Sequence, residues 1–445
     1  MIAIAFDHFY WQDLDELDRV IGPDNHLVRI SYARWHRIAR TCFPKEAFDG
    51  IENAFDPKMN DCWKKYSGLV KQEVAWIIAA HQPNIFITPS DAFFYIRPFI
   101  ESFKEAGLNT LVMQKETTIS PLVMDEHSKV IGKFVPFMSD HMTVCSERHK
   151  QFWLKAGTNA HLISVTGQPR FDIYRRPPEC KPGNVDMRPK LLYLSYADDA
   201  YLPSDLGIQY SHNWQQQRQE TERTICDLSS SFSVTVKKHP QQLNSEDWLG
   251  SSIVHADRFA DTRKLIIESD VVVGFQTTAL YEAAVAGKPV IYAAWGETFE
   301  SAKDLLIRFD LHPDLVTHAN SPEHLKFLLT DGLLDLSLAS DHGLEVVETE
   351  LGPVDGQAAE RTWAIIQTFL QPTPPADVTK SQLVKVNRLL IISTLYGLAE
   401  LFTAHFAPSF AIKITRRNEI LKQRLKEKSQ IKHNLKEQIS HEKSI

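Results

Sequence analysis

Cysteine is sparse in this chain of 445 residues: Cys42, Cys62, Cys145, Cys180 and Cys226 are scattered, and no pair has metal-ligand spacing. An odd, dispersed set excludes a disulfide framework and fits a reduced, cytosolic compartment. Positive charge is also short. The formal net charge of −7 argues against a general nucleic-acid binder, which is more often basic. No internal repeat is visible. The opening MIAIAFDHFYW meets Asp7 too early to read as a signal peptide. No Asp-X-Asp element sits in a loop suited to a divalent metal, so the reading requires no metal and no cofactor.

What is present is ordinary for a globular protein: 43% hydrophobic residues, 10% aromatic and 24% charged. That composition builds real cores, and the length points to two or three domains. The charge is unevenly spread. From Lys413 onward there are ten basic and four acidic residues, which leaves the rest of the chain at 39 basic against 52 acidic, a balance of −13. A basic tail on an acidic body points to an anionic surface as partner.

Short continuous apolar runs recur along the first half: Ile2–Ala5, Ile85–Thr88, Thr110–Met113, His141–Cys145 and Leu162–Thr166. Helical stretches are expected at Asp91–Ala106, closed by Gly107, and at Ser146–Ala156, closed by Gly157. A proline-rich piece from Arg175 to Lys190 breaks both periodicities and reads as a linker. Strands resume at Leu191–Ser195, Phe232–Val236, Val271–Gly274 and Pro289–Ala293, with a helix at Ala279–Ala286. Such runs suit parallel strands buried on both faces. Two blocks of strand–helix alternation predict an α/β protein of two Rossmann-like, doubly wound domains facing a cleft, with a C-terminal helical extension. The boundaries fall at 1–175, a linker over 176–189, 190–371, and a helical, amphipathic and basic tail over 377–445. Within the tail, Leu389–Ile412 approaches the length of a membrane span, but Glu400 and Pro408 interrupt it. An interfacial helix with Lys413–Lys443 against anionic lipid is the expected arrangement. The plainer alternative is a packed hairpin followed by a solvated helix.

Ligands of doubly wound sheets sit beyond the carboxyl ends of the strands, and three features fall there. The first is Ser269-Asp270-Val-Val-Val-Gly-Phe-Gln276-Thr277-Thr278-Ala-Leu-Tyr-Glu282. Two hydroxyl residues open a helix, where unpaired N–H groups favour a phosphate. Glu282 lies one turn beyond Thr278, placed to accept hydrogen bonds from a ribose. The plainer reading makes Thr an N-cap and Glu282 a surface residue. The second is Lys237-Lys238-His239-Pro240, in which a His fixed by Pro donates to a phosphate and the lysines add charge. Taken alone, His-Pro is usually a turn. The third is Asp198-Asp199 after the first strand past the linker, an acidic pair able to orient an acceptor hydroxyl or take its proton.

These residues carry a resemblance. The pattern resembles bacterial transferases of the GT-B fold that use CMP- or CDP-linked donors: the Kdo transferases of capsule and lipopolysaccharide, sialyltransferases, and the CDP-glycerol glycerophosphotransferases of teichoic acid synthesis. SDVVVGFQTTALYEAAVAGKPVIY looks like their donor-site helix, and TVCSERHKQFWLKAG with VTGQPRFD looks like the end of their first domain. The likeness covers roughly residues 80–300. It implies that His239 with Pro240, and Thr277 with Thr278, hold the donor phosphate. Lys238, Gln276 and Glu282 are expected in the same donor site, and Arg170, just before the linker at the cleft's edge, is placed to contact donor phosphate or an acidic sugar; its plainer reading is a surface arginine near a turn. It also implies an acidic pair at Asp198-Asp199. Where the glycerophosphotransferases have a Trp-His-Gly element with a catalytic His, this chain has Met113-Gln-Lys-Glu116-Thr-Thr, with Glu116 in the His position. Glu116 and Asp91 are therefore the first-domain candidates for a base, with His81 weaker. Asp91 also reads as a plain helix cap.

The resulting expectation is an inverting, metal-independent glycosyltransferase at the cytoplasmic face of a bacterial membrane. It would move a sugar from a nucleotide donor to a capsule, lipopolysaccharide or teichoic-acid-like glycan. The alternatives are a UDP-sugar 2-epimerase-like enzyme and a non-catalytic nucleotide-binding scaffold.

Overall fold

The computed structural model describes residues 1–7, 10–115, 124–176, 188–198, 214–239, 242, 253–257, 260–332, 336 and 338–370. Glu116, Asp199, Pro240, most of the linker and the whole 377–445 tail lie outside the described residues.

The first half runs β1 (Ile2–Phe6), α1 (Trp11–Val20), β2 (His26–Ile30), α2 (Tyr32–Cys42), α3 (Ile51–Ala54), α4 (Asn60–His81), β3 (Ile85–Thr88), α5 (Arg97–Glu105), β4 (Thr110–Met113), α6 (Met124–Phe134), β5 (His141–Val144), α7 (Glu147–Lys155) and β6 (Ile163–Val165). After the 3-10 segment Pro169–Arg175, the second half runs β7 (Lys190–Ser195), α8 (Gln215–Asp227), β8 (Ser233–Lys238), β9 (Val254–His255), α9 (Thr262–Glu268), β10 (Val271–Gly274), α10 (Ala279–Val285), β11 (Val290–Ala293), α11 (Gly296–Ala302), β12 (Thr317–Ala319), α12 (Pro322–Leu329), α13 (Asp341–Leu351) and α14 (Ala358–Thr368).

Each half contains one six-stranded sheet, ordered β2-β1-β3-β4-β5-β6 and β12-β11-β10-β7-β8-β9. Every pairing is parallel. β3, β4, β5, β10 and β11 are buried at every residue, as strands covered by helices on both faces must be. The fold is therefore the expected α/β pair of doubly wound sheets. Side-chain caps start several helices: Ser31 accepts from the Arg34 N–H, Ser146 from His149, and Asp261 from Arg263.

Two elements differ from their expected bounds by more than one residue at an end. α5 starts at Arg97 rather than at Asp91. Pro98 is the reason, because proline is accommodated in the first helical turn and not deeper. β8 runs on to Lys238, so the two lysines belong to the strand and Lys237 is buried.

The chain ends its described course by crossing back. After α13, Gly352 takes φ +79, and a Cβ there would run into the Cys145 carbonyl oxygen. Only glycine fits such a turn. α14 then packs against α1 and the Pro169–Arg175 segment, and Ile366 enters the core of the first half. Both carboxylate oxygens of Asp172 accept from the first amides of α14, Ala358 N at 3.0 Å and Ala359 N at 2.8 Å. At its far end the Phe369 carbonyl accepts from Asn109 Nδ2 at 2.8 Å. No helix among the described residues is long and apolar enough to cross a membrane.

Candidate active site

In a doubly wound sheet the crevice opens where successive strands leave in opposite directions. In the second sheet that point is β7: the chain goes from β7 to β8 and β9 on one side, then returns to β10, β11 and β12 on the other. Leu194 of β7 is level with Gly274 of β10 on one side and Lys237 of β8 on the other. His239 and the Gln276-Thr277-Thr278 turn therefore emerge on either side of the same strand tip. At the usual strand spacing their backbones are about 10 Å apart. His239, Lys238, Thr277 and Thr278 are all partly exposed, so none is sealed in the core.

Burial, with Lys237 adding to it, holds the His239 ring below the ordinary histidine value. At neutral pH it is a neutral imidazole with one N–H donor. Thr277 Oγ1 accepts from Ala279 N at 3.3 Å, a cap that leaves its hydroxyl hydrogen to donate. Thr278 makes no side-chain cap. α10 is only seven residues long, so the hydroxyls contribute more to anion binding here than a summed helix dipole does.

The β7 tip is organised by α8, a helix that sequence reasoning passed over. Gln217, Arg218, Thr221, Glu222, Thr224 and Ile225 are buried, the spacing of one helix face, but five of the six are polar. An apolar stripe is what marks a buried helix face in sequence, and here the stripe is polar. Gln217 Nε2 donates to the Tyr196 hydroxyl at 2.9 Å and to the Ala293 carbonyl at 3.1 Å, while its Oε1 accepts from Trp295 N at 3.2 Å. Arg218 bridges two acids, donating to Asp198 Oδ1 at 2.7 Å and to Glu222 Oε2 at 3.0 Å. Ser195 donates to Glu222 Oε1 at 3.2 Å and accepts from Gln242 Nε2 at 3.1 Å. Burial pushes the Glu222 carboxyl above its ordinary range even with Arg218 beside it. Asp198 is thus held at the strand tip by a buried arginine.

Arg170 and Glu282 belong to a polar joint between the halves, and Glu282 lies in the first turn of α10, just beyond Thr278. Asp13 of α1 accepts from Arg170 Nε at 2.9 Å, Nη2 at 2.5 Å and backbone N at 2.9 Å. Glu16, one turn on, accepts from Arg176 and from Arg263 Nη1, the latter at 3.3 Å. Arg263 also pairs with Asp261 at 2.8 Å, and Asp261 accepts from Gln12 Nε2 at 2.7 Å. Glu282 accepts from the Tyr174 hydroxyl at 2.6 Å, and burial raises its carboxyl. The joint leaves Trp11 at the first sheet's carboxyl edge 37% exposed, with the Arg263 guanidinium 5.6 Å from its ring centre.

In the first sheet the reversal falls between β1 and β3, where Asp91 lies. Asp91 is 0% exposed. Its Oδ2 accepts from Met138 N at 2.9 Å and Ser139 N at 3.2 Å, and its carbonyl from Arg97 Nη1 at 3.0 Å. Burial raises its carboxyl. The side chain anchors the turn before β5 rather than capping its own helix. His81 ends α4, at the amino edge away from this crevice. Among the described residues no group of three or more His, Cys, Asp or Glu side chains could hold a metal ion.

No protein-family model matches the chain, and no curated protein matches it. Among solved structures it is similar to a putative UDP-N-acetylglucosamine 2-epimerase from Listeria monocytogenes, at 14% identity over 82% of this chain and 96% of that one, with a TM-score of 0.48. It is also similar to the wall teichoic acid polymerase TagF, at 9% identity over 82% and 88% with a TM-score of 0.48. A third is the glycotransferase of kitacinnamycin, at 12% identity over 83% and 98% with a TM-score of 0.45. At such identities and scores nothing about reaction or substrate follows from the likeness. What the chain itself shows is a pair of parallel six-stranded α/β sheets.

Proposed function

We propose that the chain is a glycosyltransferase that takes a sugar from a nucleotide-activated donor, CMP- or CDP-linked, and joins it to a bacterial surface glycan. One observation carries the reading. An imidazole and two hydroxyls, far apart in sequence, emerge partly exposed on either side of the β7 tip, where a doubly wound sheet receives its ligand. Neutral N–H and O–H donors there suit a phosphate group.

In the proposed reaction a carboxylate takes the proton of an acceptor hydroxyl as its oxygen bonds to the anomeric carbon. The bond from that carbon to the nucleotide phosphate breaks, and the leaving phosphate keeps the electron pair. His239, Lys238, Thr277 and Thr278 stabilise the charge it gathers, with inversion and without a metal. Glu116, Asp198 and Asp199 are the proposed bases. Asp198 serves under the hold of Arg218, whereas the burial of Asp91 favours an anchoring role. Arg170 and Glu282 act on the donor only through the joint they stabilise. The basic 377–445 tail keeps the enzyme at the inner face of the membrane.

Titration calorimetry with CMP, CDP and UDP tests the reading. Preferential binding of a cytidine nucleotide supports it. A preference for UDP favours a 2-epimerase-like enzyme, and binding of none leaves a non-catalytic scaffold. For the tail, deletion of 389–445 abolishes co-sedimentation with anionic vesicles; a truncated protein that still sediments removes the membrane role.

A further inference from the structure

Gln276 stands at φ +33, one of two non-glycine residues at positive φ among the described residues. A side chain in that region is strained unless its surroundings hold it there. Gln276 is held completely. Its Nε2 donates to the Tyr292 hydroxyl at 2.6 Å and to the Ile307 carbonyl at 2.9 Å, and its Oε1 accepts from Ile307 N at 2.8 Å. Both amide hydrogens and the amide oxygen are engaged, and the residue is 4% exposed. A saturated, buried amide has no donor left for a phosphate or ribose.

The residue before it is pinned as well. The Phe275 ring stacks on Tyr292 at 5.8 Å and packs against Tyr196 at 4.9 Å and Trp214 at 4.8 Å. Directly after it come Thr277 and Thr278. The same amide also ties segment 306–308, which follows α11, to the β10 tip.

We infer that Gln276 is a positioning residue: its side-chain amide latches segment 306–308 to the β10–α10 turn, and so fixes where Thr277 and Thr278 present their hydroxyls. This deepens the proposed nucleotide site and rests on it, but the latch is a property of the free protein. A turn forced into left-handed geometry and clamped by three hydrogen bonds has little freedom to adjust when ligand arrives. Preorganisation of that kind cuts the ordering cost of binding.

The test pairs hydrogen exchange of the ligand-free protein with calorimetry against CMP, CDP and UDP, in wild type, Gln276→Ala and Gln276→Gly. Glycine accepts φ +33 without strain, so it keeps the turn foldable while deleting the latch. Both variants should show faster exchange at Ile307 and across 277–280. Both should bind nucleotide about tenfold or more weakly, since small misplacements of positioned groups have effects of that size. Gln276→Gly with unchanged affinity overturns the latch, because backbone geometry alone would then suffice. Weaker binding with unchanged exchange also overturns it, because Gln276 would then touch the ligand itself. If wild type binds none of the three nucleotides, the donor-site reading fails and exchange alone decides: acceleration at Ile307 and 277–280 upholds the latch, and no acceleration overturns it.

Discussion

The two sheets reverse direction at one strand tip each, and the two tips are finished in opposite ways. At β1 and β3 the described residues bond back to the chain's own backbone. Asp7 accepts from Tyr32 N at 2.8 Å, Lys115 N donates to the Pro89 carbonyl at 3.1 Å, and Asp91 is sealed against the 138–139 turn. At β7 and β10 five polar groups stand at half exposure: His239, Lys238, Thr277, Thr278 and Asp198. Their supports, Gln217, Arg218, Glu222 and Gln276, are the buried ones. A buried polar side chain is costly unless it is hydrogen-bonded, so a helix face of such groups exists to hold something else in place. The difference is between a sealed carboxylate that anchors a turn, at Asp91, and half-exposed polar groups held by buried props, at the β7 tip; the α1 joint ties the two halves together.

Breaking the joint should have the largest effect. Asp13→Ala leaves Arg170 and its neighbours without their buried counter-charge, and such losses run to about 3–5 kcal/mol. Chemical denaturation measures it, and a loss below 1 kcal/mol would show that the joint is not a stabilising contact. At the ligand tip, His239→Ala removes one donor to a charged phosphate, about 1.5–3 kcal/mol or 10- to 100-fold in nucleotide affinity. Stability should barely move. At the closed tip Asp91→Ala should do the reverse, destabilising by about 1–3 kcal/mol through the two orphaned amides while affinity is kept. Equal effects of His239→Ala and Asp91→Ala on both measurements would erase the distinction between the tips.

A pH dependence is expected at Asp172, which holds the start of α14 and whose carboxyl burial pushes up to about 6. A carboxyl raised in the folded state holds its proton to higher pH than in the unfolded chain. Its contribution to stability therefore falls as pH rises from the ordinary carboxylate value toward 6, and is lowest above 6. Between pH 7 and pH 5 wild type should gain about 1 kcal/mol relative to Asp172→Asn, following the pKa scale of 1.36 kcal/mol per unit. Urea melts of both proteins at the two pH values check this, and parallel profiles would assign the pH response elsewhere. The smallest effect is expected at the hydroxyls: Thr277→Val and Thr278→Val should each weaken nucleotide binding by about 1 kcal/mol, or roughly fivefold. Calorimetry resolves this, and unchanged affinity in both would leave His239 to hold the phosphate alone.

Strands were the readable part. Ile85–Thr88, Thr110–Met113 and Val271–Gly274 fall where their apolar runs predict, because a strand buried on both faces admits few polar residues. α8 was not readable in the same way, since its buried face is polar and only its partners explain it. The partners of Arg170 and Glu282 are not readable in sequence either. Their contacts are Asp13, 157 positions away, and Tyr174, 108 positions away. No local pattern encodes pairs so distant.

The linear order of residues determined the α/β class, the two parallel sheets and the strand tips at which ligand chemistry can lie, because hydrophobic periodicity and chain reversal are local properties. Tertiary structure alone decided which polar residues reach solvent and which serve as props. Burial and hydrogen-bond partners depend on segments brought together from across the chain. That is how Gln276, adjacent to Thr277 in sequence, comes to hold the turn that Thr277 presents.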